Sequence, residues 1–129
     1  MMRRRSSPEE LRLVGRFLES VATALFGSAW FSVINFHIRK NRSKSLAELM
    51  FENPREASYI VLVIIGGGKT QARLLKNIFR NHLLETLGGS IDKDLNELFE
   101  AIAKNDAEKT REKLVKIAQD YLQVRLRRL

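Results

Sequence analysis

Cysteine is absent from this chain, and histidine and proline occur only twice each. The lack of cysteine excludes disulfide bridges, thiolate metal ligands and a cysteine nucleophile. His37 and His82 are too few and too far apart for an ordinary metal site, which needs more ligands at closer spacing. We therefore expect no metal ion and no cofactor, and no set of catalytic residues can be singled out.

Long apolar stretches are also missing. The longest runs from Tyr59 to Ile65 and has seven residues, whereas a helix that spans a bilayer needs roughly 18 or more. The N-terminus is basic but lacks the apolar segment of a secretory signal. We expect a cytoplasmic protein without a membrane span.

The composition favours one globular domain. The chain has 129 residues, of which 44% are hydrophobic and 29% are charged, and this balance is typical of folded rather than disordered proteins. Residues 1–6 are expected to form a mobile basic tail, and residues 7–129 a single helical domain. The net charge of +8 favours acidic partners, such as nucleic acid, an anionic membrane surface or an acidic protein.

Five segments have the pattern of a helix N-terminus, in which a capping residue is followed three positions later by Glu. The capping residues are Ser7, Ser45, Asn53, Asp94 and Asn105. Pro8 and Pro54 follow two of them, at the position where proline suits the first turn. Because each segment precedes an apolar-periodic stretch, the sequence predicts an all-α bundle of six to seven helices.

Glycines and the periodicity set the predicted boundaries. Gly27 ends the first helix, Ser28 caps the second, and Gly88 with Gly89 ends the fifth. A basic loop is expected over residues 39–44, and the last two helices should form a hairpin. The predicted helices cover about residues 8–26, 29–40, 46–51, 54–66, 70–87, 95–104 and 107–126.

The apolar run Tyr59–Ile65 allows two interpretations. Its β-branched residues favour a strand, which could pair with an extended segment over residues 30–38. The Asn53 capping pattern leads directly into the run, however, and such a run also suits a central helix that is buried on all sides. We prefer the helix.

The segment from Gly66 to Thr70 reads Gly-Gly-Gly-Lys-Thr and is similar to part of a phosphate-binding loop. A P-loop also needs a glycine five positions before Gly68, where Val63 stands, and several parallel strands. The segment is therefore interpreted as a glycine turn between two helices. A nucleotide-dependent enzyme that uses Lys69 and Thr70 is the less favoured alternative.

A basic stripe on the fifth helix gives a second hypothesis for function. Its residues recur at spacings of four, three and four and lie within a sector of about 60°, and they are Lys69, Arg73, Lys76 and Arg80. A second basic cluster consists of Arg39, Lys40, Arg42 and Lys44. These eight residues are the candidate contacts to nucleic-acid phosphates, and the alternative is an ordinary solvated or neutralised face.

Three other side chains are assigned to the core rather than to a site. His82 falls on the apolar side of its helix, so a hydrogen-bonded core histidine is expected. Trp30 and Phe31 are expected to anchor the second helix, with an exposed aromatic contact as the alternative.

The segment from about residue 18 to residue 89 resembles the Nitrosopumilus output domain family, which comprises small archaeal all-helical domains. The most specific part of the match is Asn53-Pro54, followed about a dozen residues later by the glycine turn; Leu74-Leu75 and Leu87-Gly88 complete it. The resemblance implies an archaeal source, an all-helical fold and a role in signalling or regulation. It brings no catalytic residues.

The sequence thus favours a non-enzymatic regulatory or protein-interaction module. Its expected partners are a second copy of the chain, as in a homo-oligomer, or an acidic protein. Nucleic-acid binding through the basic residues is the main alternative.

Overall fold

The computed structural model describes residues 7–65 and 67–127. The predicted mobile tail 1–6 and Gly66 of the predicted turn lie outside the described residues. Within them the chain forms seven α-helices and no β-strand, so the prediction of an all-α bundle is confirmed. The helices are α1 (Pro8–Phe26), α2 (Ser28–Arg42), α3 (Leu46–Glu52), α4 (Pro54–Tyr59), α5 (Lys69–Leu87), α6 (Asp92–Ala103) and α7 (Ala107–Arg127).

Three of the five predicted helix starts are confirmed. The hydroxyls of Ser7 and Ser45 accept hydrogen bonds from the amides of Glu10 and Glu48, at 3.1 and 3.2 Å, and both glutamates bond back to the capping amide. The side chain of Asn53 accepts from the amide of Glu56 in the same way. These caps satisfy amides that a helix leaves unpaired in its first turn.

The start predicted at Asp94 is wrong. A 3₁₀ turn, Gly89–Ile91, leads directly into α6, which begins at Asp92, so Asp94 already lies inside the helix. Its carboxylate accepts hydrogen bonds from Lys113 and Lys116 of α7 instead, at 3.0 and 2.8 Å.

The start predicted at Asn105 is wrong by one residue. Asp106 caps α7, because its carboxylate accepts from the amide of Lys109 at 3.0 Å. Asn105 has a positive φ of 55°, a conformation that asparagine tolerates better than most residues and that lets the chain reverse between α6 and α7. Its side-chain oxygen accepts from the amide of Arg55, at 3.1 Å.

The turn between α1 and α2 is shorter than predicted. Gly27, with a φ of 91°, both ends α1 and precedes α2, and such a φ is readily available only to glycine. Ser28 is already the first residue of α2 and makes no capping bond, contrary to the prediction. At the other end α2 continues to Arg42, so most of the predicted basic loop is the last helical turn, where cations are favoured by the helix dipole.

The apolar run is helical, but it is not the fully buried α-helix that was predicted. Residues Ile60–Ile65 form a π-helical segment that continues α4. Ile60 is buried, whereas Val61, Leu62 and Val63 are only half-buried and Tyr59 is 52% exposed. The run therefore covers one side of the bundle instead of filling its centre.

The core forms where α1 and α7 pack together and are flanked by α3, α5 and α6. Phe17 of α1 and Tyr121 of α7 are fully buried and meet edge to face, with ring centroids 5.3 Å apart. The last two helices, α6 and α7, pack against each other as the predicted C-terminal hairpin.

Candidate functional site

The basic stripe of α5 is partly engaged by α6. The guanidinium of Arg80 forms an ion pair with Asp92 and donates a hydrogen bond to Asn96 at 2.6 Å. The ammonium of Lys76 lies 4.6 Å from the centroid of the Phe99 ring, a cation–π geometry. Lys69 and Arg73, in the first half of the stripe, are exposed and have no ion pair in the described part of the chain.

Packing explains this arrangement. The buried side of α5 is centred on Phe79 and Leu83, which lie beside the stripe at about 100° per residue rather than opposite to it. The stripe therefore borders the helix–helix contact. Arg80 reaches the neighbouring α6 for that reason, and it is only partly free to meet phosphates.

The second basic cluster is also partly neutralised. Arg42 pairs with Glu56 of α4, and Lys44 pairs with Glu52 of α3. Arg39 and Lys40 are exposed, and neither has an ion pair with another described residue. Four of the eight candidate cations therefore have a partner within the chain, namely Arg42, Lys44, Lys76 and Arg80.

The two clusters lie on helices with different neighbours. The helix α2 packs mainly on α1 and α3, whereas α5 packs mainly on the π-helical segment, the 3₁₀ turn and α7. Arginines also group at the two ends of the sequence, at Arg3–Arg5 and at Arg125, Arg127 and Arg128. Of these, Arg3–Arg5 and Arg128 lie outside the described residues.

The glycine segment forms a turn between helical elements, as the sequence predicts. Gly67 and Gly68 have φ values of 103° and 112°, and Gly68 directly precedes α5. The amide of Gly68 donates to the carbonyl of Val63 at 2.8 Å. That donor is therefore already used within the chain, whereas a phosphate-binding loop needs its amides free.

His82 is hydrogen-bonded on the inner side of its helix, as predicted, but it is only partly buried rather than a full core residue. Its Nε2 lies 2.8 Å from the hydroxyl of Tyr121, across the contact between α5 and α7. Trp30 and Phe31 are half-buried and pack against the core, so they anchor α2 in part. The ring of Trp30 also stacks at a tilt on Phe26, with centroids 4.6 Å apart.

The outer face of α2 is an apolar stripe that the sequence reasoning missed. It consists of Ala29, Val33 and Phe36 and ends at the cation Lys40, and the four residues follow one another at i, i+4, i+7 and i+11. Val33 is 56% exposed and Phe36 is 68% exposed. The opposite side of the same helix is buried through Ile34 and Ile38. This spacing was visible in the sequence, but which of the two apolar sides faces the core depends on the neighbouring helices.

In the described ranges, His, Asp and Glu do not gather in any group of three that could hold an ion. The acidic residues of α6 instead pair with lysines of α7, as Asp94 and Glu97 do with Lys113. None of the described helices is both long and apolar enough to cross a membrane.

Comparison of the chain with protein-family models, curated proteins and solved structures gives no match. The resemblance to the Nitrosopumilus output domain family therefore stays a prediction from the sequence, as do the archaeal source and the regulatory role that it implies.

Proposed function

We propose that this protein is a non-enzymatic interaction module, and that the outer face of α2 binds an amphipathic helix with an acidic flank. The observation that carries the proposal is the exposure of Val33 and Phe36, which are adjacent on this face. Scattered exposed apolar residues are common on proteins, but two large ones one helical turn apart form a seam that suits helix pairing.

The charge beside the seam favours the acidic partner. Arg39 and Lys40 lie at its C-terminal end and are exposed. The sequence of α2 contains no Asp or Glu, so a second copy of this face offers no opposite charge, and the net charge of +8 opposes close approach of two copies. An acidic partner helix satisfies both the apolar and the basic parts of the face.

The test uses two synthetic helical peptides with the same leucine seam, one flanked by glutamates and the other by lysines. The glutamate peptide should bind, and the Phe36→Ser variant should weaken its binding about ten-fold, as expected when a central interface residue is truncated. Leu126→Ser is the matched control, because Leu126 is an equally exposed apolar residue at the end of α7. Its binding should be unchanged.

The alternatives give different results in the same experiments. Light scattering should show a monomer. A dimer that Phe36→Ser dissociates would make a second copy the partner instead. Equal binding of the two peptides, or binding of neither, would contradict the acidic partner.

Nucleic-acid binding is the second proposal, supported by the exposed cations Lys69, Arg73, Arg39 and Lys40. A gel-shift titration with duplex and single-stranded probes should show affinity that falls steeply with salt. The double variant Arg73→Glu with Lys40→Glu should abolish it, whereas no binding at low salt would remove this proposal.

A further inference from the structure

A cavity of about 140 Å³ lies within the bundle, between α1, α2, α5, α6 and the π-helical segment. Its wall is almost wholly apolar and includes Leu25, Phe31 and Phe79. Engineered apolar cavities of about 150 Å³ stay dry and bind small apolar molecules such as benzene. The cavity therefore has a size and a lining that suit a hydrocarbon group.

A groove of about 310 Å³ lies next to the cavity. The two spaces share lining residues from α4, the π-helical segment, α5 and α6, namely Ser58, Leu62, Lys76, Phe99 and Ile102. At its outer end the groove is bordered by Arg55 and Tyr59, which are both exposed. The two spaces are therefore neighbours, and an elongated molecule that used both would lie in the groove with its end in the cavity.

The charged side chains that line the cavity and the groove are all positive. Lys76 lies at the boundary between the two spaces and Arg55 at the outer end of the groove, and the described residues that line either space include no Asp or Glu. The Lys76 ammonium is held over the Phe99 ring. An anionic group in the groove would meet two cations, while a cationic group would meet no carboxylate from the lining.

We propose that the cavity and the groove together bind an amphipathic anion with a single hydrocarbon chain. The chain occupies the cavity, and the head group, a carboxylate or a phosphate ester, lies in the groove beside Lys76 and Arg55. This site is distinct from the outer face of α2, because Ile34 of the same helix lines the cavity while Phe36 points to solvent.

Trp30 reports on the site directly, since it lines the cavity and is the only tryptophan of the chain. Decanoate and decyl phosphate, each below its micelle concentration, should change its fluorescence saturably at one molecule per chain. A decanoate brominated at the chain end should quench Trp30, which places the chain end in the cavity. Each methylene that enters the cavity should tighten binding about four-fold until the cavity is full.

Matched head groups test the charge. Decanol and decyltrimethylammonium have the same chain, so decanoate should bind more tightly than either. Lys76→Met keeps the apolar stem and removes the charge, and it should weaken decanoate about three- to five-fold while it leaves decanol unchanged. Arg73→Gln is the control, because it removes a cation of α5 that lines neither space.

Two variants fill the space. Ala22 is buried in the cavity wall and Ser58 lies at its boundary with the groove, so Ala22→Leu and Ser58→Leu should each weaken decanoate more than about ten-fold. Circular dichroism checks that each variant is folded, and if one variant does not fold, the other is sufficient for the test.

Comparison of decanoate with decyl phosphate shows which head group the groove prefers.

Three results would overturn the proposal. They are no quenching by the brominated chain, equal binding of decyltrimethylammonium and decanoate, and unchanged binding in a folded space-filling variant. None of them affects the peptide experiment on the outer face of α2, so the two proposals stand or fall separately.

Discussion

The Nε2 atom of His82 and the hydroxyl of Tyr121 are 2.8 Å apart and join α5 to α7 inside the bundle. Partial burial lowers the pKa of His82 below its ordinary value of 6.5, and the nearby charge of Arg125 lowers it further, against a smaller opposing effect of Glu85. Folding therefore disfavours protonation of this ring.

The sign of the pH dependence follows from this shift. Well above pH 6.5 the ring is neutral in both the folded and the unfolded chain. As the pH falls below that value, the unfolded chain takes up a proton first, so the free energy of unfolding decreases. Urea denaturation at a series of pH values measures this loss, and NMR titration of the ring gives the pKa.

One variant tests the contribution of Arg125 to the pKa shift, and a second tests whether His82 is the source of the pH dependence. Arg125→Gln should raise the pKa of His82 towards 6.5 and leave the hydrogen bond in place. His82→Gln should remove this part of the pH dependence altogether. A stability that is equally pH-dependent with and without His82 would contradict the assignment.

At Thr110 we expect a substitution that keeps or raises the stability of the protein. It is fully buried near the start of α7, and its hydroxyl has no hydrogen-bond partner in the described part of the molecule. An unpaired buried hydroxyl costs roughly 1–3 kcal/mol. Thr110→Val has the same shape, so it should leave stability unchanged or raise it by about 1 kcal/mol.

Thr110→Ser is the matched control for this site. It keeps the unpaired hydroxyl and removes a buried methyl group, so it should lower the free energy of unfolding by about 1 kcal/mol. The urea midpoint of the serine variant should therefore fall, whereas that of the valine variant should stay the same or rise. A valine variant less stable than the serine variant would mean that the hydroxyl is paired.

The pattern of correct and wrong helix starts shows what a single sequence determines. Ser7, Ser45 and Asn53 cap their helices because the bonds they make are local and need only the next three residues. Asp94 has the same local pattern, but its carboxylate binds Lys113 of another helix. That choice depends on the packing of α6 on α7, which no local pattern contains.

The candidate site shows the same limit. The helical spacing of the basic stripe was readable from the sequence, yet the ion pair of Arg80 with Asp92 and the position of Lys76 over Phe99 arise between helices. Likewise, Phe36 and Ile38 are both apolar residues of α2, and only the placement of α1 and α3 decides that Ile38 is buried and Phe36 exposed.

Glu10 and Arg111 form an ion pair between α1 and α7, with an N–O distance of 2.9 Å. The side chain of Arg111 is 9% exposed and that of Glu10 is 19% exposed. Removal of one member of a buried pair costs roughly 3–5 kcal/mol, because the other member loses the opposite charge that offsets its desolvation. The loss should be costlier for the more deeply buried member, Arg111.

The difference in burial between Arg111 and Glu10 predicts which substitution costs more stability. Glu10→Gln keeps the capping geometry at Ser7 but leaves the Arg111 guanidinium without its anion, so it should cost about 3 kcal/mol. Arg111→Met leaves the more exposed carboxylate and should cost less. Denaturant unfolding of both variants and of the double variant tests the order, and the reverse order would contradict it.

Asp94 connects α6 to α7 through Lys113 and Lys116. The hydrogen bonds from Lys116 and Lys113 lower the pKa of Asp94 below its ordinary value of 3.8. The stabilisation is therefore complete well above pH 3.8 and is lost as the pH falls through the lower pKa of the folded chain. Asp94→Asn should reduce stability at neutral pH by about 1 kcal/mol, since two partly screened pairs are lost.

Glu100 provides the control for Asp94 within the same helix. It pairs with Lys104 at a spacing of four residues, but both side chains are more than half exposed. Solvent screens such a pair, so Glu100→Gln should change stability little.

In acid, the Asp94→Asn variant should start from a lower stability than the unaltered chain, and its stability should fall less steeply below pH 3.8. Equal effects of the two substitutions would mean that the pairs of Asp94 add nothing measurable to the contact between α6 and α7, which also includes the buried residues Leu95, Leu98 and Leu114.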